Sequence, residues 1–148
     1  MKVGYCLILL VLVIALPIWA AEEAGMIKTV KGTTNIERGS QKITAKAGMV
    51  VVAGDRIVTG ANGSFGITLR DNTLLTAGPN SKIVINNFAF NSTTHAGIVD
   101  ASVKRGTLSV VSGKIAKQSP DAVKFRTPAA ILGVRGTEFV IDAGKGED

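Results

Sequence analysis

Turn-forming dipeptides recur along this chain at a near-constant interval, and that interval limits the fold more than any other feature. Gly54-Asp55, Asn62-Gly63, Asp71-Asn72, Pro79-Asn80 and Asn86-Asn87 follow one another seven to nine residues apart. Glycine and asparagine tolerate the positive φ that tight reversals require, and proline presets the first turn position. Such spacing leaves room for one short strand between reversals and none for a three-turn helix. The residues between the turns alternate with period two: Phe65, Ile67 and Leu69 with Gly66, Thr68 and Arg70, then Ile83 and Ile85, Leu108 and Val110, Val123 and Phe125, Phe139 and Ile141. Alternation of this kind marks strands with one buried face. The expected class is therefore all-β, with many short strands forming either a β-solenoid-like roll or a small β-sandwich. Ala89 to Gly97, rich in Asn, Ser and Thr, interrupts the rhythm and predicts a surface loop between a front and a back half.

The first residues follow a different rule. Lys2 gives a positive start, Tyr5 to Leu16 are apolar, and Pro17 to Ala20 combine a helix breaker with a small residue, which is the pattern of a secretory signal helix. The expected organisation is a signal peptide over 1–20 with cleavage after Ala20, a linker over 21–26, a β domain over 27–142 and a flexible tail over 143–148. The alternative is an uncleaved anchor, since the uncharged run approaches the length that spans a bilayer. Both readings put the remainder outside the cytoplasm, in the periplasm or at the cell surface, with membrane contact only through the N-terminal segment.

The chain carries 17 basic and 11 acidic residues, a formal net charge of +6, without a long run of one sign. Beyond the signal the aromatic residues are Phe65, Phe88, Phe90, Phe125 and Phe139, too few to stack bases, so no nucleic-acid partner is expected. The single cysteine, Cys6, lies within the signal, and the single histidine, His95, lies in the predicted loop. A His or Cys metal cluster is excluded by count, and Asp71-Asn72-Thr73 lacks the other ligands of a calcium loop. Serines are plentiful but have no recognisable activating base. The expectation is no enzyme, no catalytic residues, no metal and no cofactor.

Several segments carry a resemblance to a known family. Gly54-Asp55-Arg56-Ile57-Val58-Thr59-Gly60 resembles the G-D-x-I-x-T-G element of FecR domains, and Ile67 to Thr73 follows at the family's distance. At that turn the family usually has Asp-Gly-Ser where this chain has Asp71-Asn72-Thr73, an exchange that keeps a residue suited to left-handed backbone and a hydroxyl. Gly78-Pro79-Asn80-Ser81 resembles the next family turn. Phe125-Arg126-Thr127-Pro128 leads into Gly133-Val134-Arg135-Gly136-Thr137-Glu138-Phe139, which contains the V-R-G-T-E-F signature. The resemblance spans roughly Ile27 to Ile141.

The residues of these motifs read as structural. Gly133 and Gly136 bracket Val134-Arg135 and predict a bend of unusual φ or close approach before the last strand, and Pro128 predicts a rigid bend. Arg135 and Glu138 are expected to pair with each other or with Asp55 or Asp71. The resemblance implies a non-enzymatic extracytoplasmic module that engages an envelope protein or cell-wall polymer. Its alternative is the periplasmic part of a signal-transduction system acting through another membrane protein, because only two residues precede the apolar run. Unpaired backbone at strand edges also invites self-association.

Overall fold

The computed structural model describes Ala15, residues 22–134 and residues 136–146. The expected signal over 1–20, apart from Ala15, lies outside the described residues, as do Arg135 and residues 147–148.

Among the described residues thirteen strands form two sheets, which makes the fold mostly β and not a closed barrel. The six-stranded sheet runs in the order β13 (Glu138–Asp142), β10 (Thr107–Val111), β7 (Leu74–Ala77), β6 (Ser64–Leu69), β1 (Glu23–Lys31) and β4 (Val50–Val52). The seven-stranded sheet runs β12 (Ile131–Gly133), β11 (Val123–Arg126), β9 (Gly97–Arg105), β8 (Lys82–Phe90), β5 (Arg56–Thr59), β2 (Thr34–Arg38) and β3 (Gln41–Thr44). The chain crosses repeatedly between the sheets, while β2–β3, β6–β7, β8–β9 and β11–β12 each stay within one sheet as paired neighbours. Neighbours pair antiparallel except β9 with β11, which run parallel. This is the sandwich arrangement, since a solenoid would stack its rungs in parallel.

Alternation places the core where the pattern demands. Phe65, Ile67 and Leu69 of β6 are buried while Ser64, Gly66 and Thr68 are not, and the buried residues of both sheets form one cluster. Phe65, Phe88 and Phe125 are its largest fully buried side chains. Phe125 also meets the ring of Phe139 edge-on, with centroids 5.6 Å apart, which ties β11 of one sheet to β13 of the other.

Four expectations need revision. Asn86-Asn87 is not a turn: both residues lie inside β8, where the register against β9 shifts between Ile85 and Asn87. The asparagines mark an irregularity within one strand and not a reversal between two. Strands β8 and β9 extend into the predicted loop, so its free part is the hairpin tip from Asn91 to Ala96. The first strand begins at Glu23, within the span read as linker. At the other end the chain stays docked as far as Gly144: Ala143 donates to the Gly106 carbonyl, and Gly106 donates to the Gly144 carbonyl.

A short helix, α1 (Lys114–Gln118), and a 3₁₀ turn at Pro120–Ala122 connect β10 to β11. They supply the crossover that a parallel neighbour requires.

Truncating Phe125 empties the joint between the sheets, so Phe125→Ala is expected to lose about 3–5 kcal/mol of unfolding free energy. Phe90→Ala, at a half-buried position, is expected to lose markedly less. Urea denaturation followed by circular dichroism checks both, and equal losses would contradict the assignment of the core.

Candidate functional site

Most of the polar motif residues are consumed within the fold. Asp55 has no exposed surface, and its carboxylate accepts hydrogen bonds from Arg38 Nε at 2.8 Å, Arg38 Nη2 at 2.7 Å and the Val52 amide at 3.0 Å. The forked guanidinium matches the carboxylate geometry, and its Nη2 also donates to the Val50 carbonyl at 3.0 Å. Gly54, at φ +93°, donates its amide to Ile85 and lets the backbone reverse just before Asp55. This cation comes from the end of β2. Register explains this, because β2 pairs with β5 directly beyond the Asp55 turn, with Glu37 opposite Arg56.

Asp71 is equally buried and ties its own turn to the start of α1. Its carboxylate accepts the Thr73 amide at 3.0 Å and the Thr73 hydroxyl at 2.8 Å, while Asn72 takes φ 68°. The same carboxylate accepts the Ile115 amide at 3.3 Å, and the Asp71 carbonyl accepts the Lys114 amide at 2.8 Å. Helix α1 has no side-chain cap of its own, so Asp71 satisfies its first amides from a distant turn. Gly113 completes the joint by donating to Thr73 Oγ1 at 3.2 Å, and a Cβ there would strike the Asp71 and Asn72 backbone.

Thr59 and Ser81 form the third staple. Thr59 Oγ1 donates to the Gly78 carbonyl at 2.8 Å and accepts the Ser81 amide at 2.9 Å. Ser81 Oγ accepts the Thr107 amide at 3.0 Å and donates to the carbonyl of Pro79 at 3.1 Å. Gly60 donates to Thr33, whose side chain would crowd any Cβ at that position.

The C-terminal signature has a different character. Thr127 closes the β11–β12 turn by accepting the Ala130 amide and donating its own amide to Ala130, with Pro128 exposed at the bend. Val134 is buried and Gly136 sits at φ +123°, whereas Gly133 is in β12 with open space around it and needs no glycine geometry. Thr137 accepts the Ser112 amide through its carbonyl at 2.7 Å, Phe139 packs on Phe125, and Glu138 is exposed. The expected pairing of Arg135 lies outside the described residues. Glu138 does not reach Asp55 or Asp71, whose partners are those given above.

Around this segment the two sheets part. A cleft of about 790 Å³ opens between α1 with its 3₁₀ turn on one side and the ends of β12 and β13 on the other. Leu132, Val134, Phe139 and Val140 give it an apolar floor, and Lys117 and Asp121 stand at its margin. Leu132 is 38% exposed and Val140 69%. A concave apolar surface bordered by strand ends suits a partner's side chains or an extended segment. Among the described residues no three His, Cys, Asp or Glu side chains converge in a way that could hold a metal ion.

Asp100, which pairs with Arg126, lies outside the sequence motifs. Arg126 Nε and Nη2 each donate to the Asp100 carboxylate at 2.9 Å, and Asn86 Nδ2 donates to it at 3.0 Å from the bulge in β8. The Arg126 and Asn86 bonds hold the Asp100 carboxyl below the usual carboxylate range. Asn86 could have signalled this network only once its turn reading was abandoned.

With the geometry in place, comparison with known proteins decides the lineage. The family model described as FecR protein matches residues 55–147. The chain belongs to the FecR family. The matched span opens at Asp55 and takes in the Asp71 turn, the Ser81 turn, the cleft and the C-terminal signature. Strands β1 to β4 precede it, yet β1 lies between β4 and β6 within the six-stranded sheet, so the folded unit of this FecR protein is larger than the matched span. No curated protein and no solved structure matches the chain.

Arg38→Met leaves the Asp55 carboxylate buried with the Val52 amide alone. It is expected to cost about 1–3 kcal/mol, the range for an orphaned buried polar group, read from the urea midpoint. The Asp100 pair carries a pH signature. Because its folded pKa is depressed, its contribution is complete above the unfolded value of about 3.9 and disappears as pH falls through the folded value. Asp100→Asn is expected to lower stability at neutral pH and to narrow the gap from wild type in strong acid. A gap that widens on acidification would refute the linkage.

Proposed function

We propose that this FecR-family chain is a non-enzymatic extracytoplasmic module that engages an envelope protein or cell-wall polymer through the cleft beside β12 and β13. The observation that carries the reading is the division of labour among the motif residues. Asp55, Asp71, Thr59 and Ser81 are buried and bonded to backbone and neighbouring side chains, so their chemistry goes into shape. The C-terminal signature instead borders an open apolar cleft. A buried acid already bonded to several donors is a poor general base, whereas an exposed apolar cleft gains energy when covered.

Membership of a family of signalling regulators favours a second reading, in which the same cleft receives a membrane-bound regulator or a transporter domain and relays a signal. The N-terminal segment read as a secretory signal supports a place outside the cytoplasm for either role.

Proximity cross-linking in whole cells, with captured partners identified by mass, separates these readings. A transporter or membrane-bound regulator supports signalling, and a wall polymer or surface assembly supports scaffolding. Leu132→Asp and Lys117→Glu, both in the cleft, are expected to reduce capture at least several-fold with an unchanged circular dichroism spectrum. A saturable activity abolished by replacing one carboxylate would overturn the non-enzymatic reading.

A further inference from the structure

Each sheet of a sandwich ends in two edge strands whose outward backbone groups need a partner or protection. At two of the four edges here protection is visible. In β4 the Val50 carbonyl is covered by Arg38 Nη2, and β12 is only three residues long. The edges β3 and β13 remain, one on each sheet.

The outward groups of both strands follow from register. Ser112 donates to the Thr137 carbonyl and Ala143 to the Gly106 carbonyl, so the antiparallel alternation turns Phe139 and Ile141 toward β10. The N–H and C=O of Glu138, Val140 and Asp142 then point away from the sheet. On the other sheet Ala45 donates to the Thr34 carbonyl, which by the same alternation directs Ile43 toward β2 and leaves Lys42 and Thr44 outward. Lys46 continues that side-chain row, although its backbone is held in the turn to Met49.

Side chains divide in the same way. Glu138, Val140 and Asp142 are exposed, as are Lys42, Thr44 and Lys46, while Ile141 and Ala45 face the core. One edge therefore presents the row acid, apolar, acid, and the other presents Lys, Thr, Lys. None of these four charged residues forms an ion pair among the described residues.

We propose that the β13 edge of one molecule pairs antiparallel with the β3 edge of a second copy, Val140 opposite Thr44, so that Glu138 meets Lys46 and Asp142 meets Lys42. In this register outward backbone meets outward backbone, and the core-facing residues of both strands fall on one side of the joined sheet. The symmetric alternatives fail on charge. Pairing β13 with itself about Val140 sets Glu138 against Asp142, and pairing β3 with itself about Thr44 sets Lys42 against Lys46. Like charges directly opposite across strands destabilise, and opposite charges stabilise. The favoured contact is head-to-tail, so it propagates into an open chain of molecules instead of closing as a dimer.

Sedimentation velocity on the purified full chain tests this independently of any envelope partner. At low ionic strength the wild type is expected to show a weight-average mass that rises with concentration and falls on adding salt. The variants Lys42→Glu with Lys46→Glu, and Glu138→Lys with Asp142→Lys, are each expected to sediment as monomers with unchanged circular dichroism. An equimolar mixture of the two is expected to recover the large species, because every junction between unlike molecules again joins opposite charges. A wild type that stays monomeric at every concentration, a variant that still associates, or a mixture of folded variants that does not recover association would each overturn the proposal.

Discussion

The turns of this sandwich are held by buried oxygen acceptors, and the remaining geometry depends on them. A chain that reverses every seven to nine residues leaves many backbone amides at bends, where no ladder can pair them. Asp71 answers the largest such demand, since its side chain and carbonyl together bind Thr73, Lys114 and Ile115. Those bonds fix where α1 starts, and α1 in turn sets where the chain enters β11 and forms one wall of the cleft. Asp55 and the Thr59–Ser81 staple do the same for the β4–β5 and β7–β8 bends. A motif of small polar residues scattered through the sequence is thus one device repeated, each copy placing an acceptor where the pleat has none.

This device commits Asp55 and Asp71 to structure. An acid or hydroxyl that acts on a substrate needs a free lone pair or proton directed at solvent. Asp71 faces a hydroxyl and two amides, and Asp55 faces a bidentate guanidinium and an amide. Releasing either group to meet a ligand would strand backbone donors inside the protein. Surface chemistry is left to residues outside the staples: the apolar margin of the cleft, and the charged rows on β3 and β13.

Much of this fold was legible in the sequence, because period-two alternation is local and leaves its mark residue by residue. Phe65, Ile67 and Leu69 face inward as their spacing requires. What could not be read was anything set by pairing across distance. The pairing of Asp55 with Arg38 depends on β2 lying beside β5, which nothing local in the sequence announces. Asn86-Asn87 has the composition of a turn, and only the presence of β9 alongside makes it a bulge. The choice between roll and sandwich was open for the same reason, since both visit two faces in turn and differ only in whether neighbouring strands run parallel or antiparallel.

The cleft is where these two kinds of information meet. Its lining comes from β12, β13, α1 and the 3₁₀ turn, and sequence alternation foretold only that Phe139 and Ile141 share a face. The parallel entry of β11 beside β9 makes the opening. A hairpin would have delivered the next strand at once, but a parallel neighbour demands a crossover, and here the crossover is β10 followed by a helix too short to cover the sheet ends. Leu132 and Val140 keep exposed apolar surface beside it. The opening is therefore a product of connectivity, and its location between the last strands follows from the same Asp71 joint that anchors the helix.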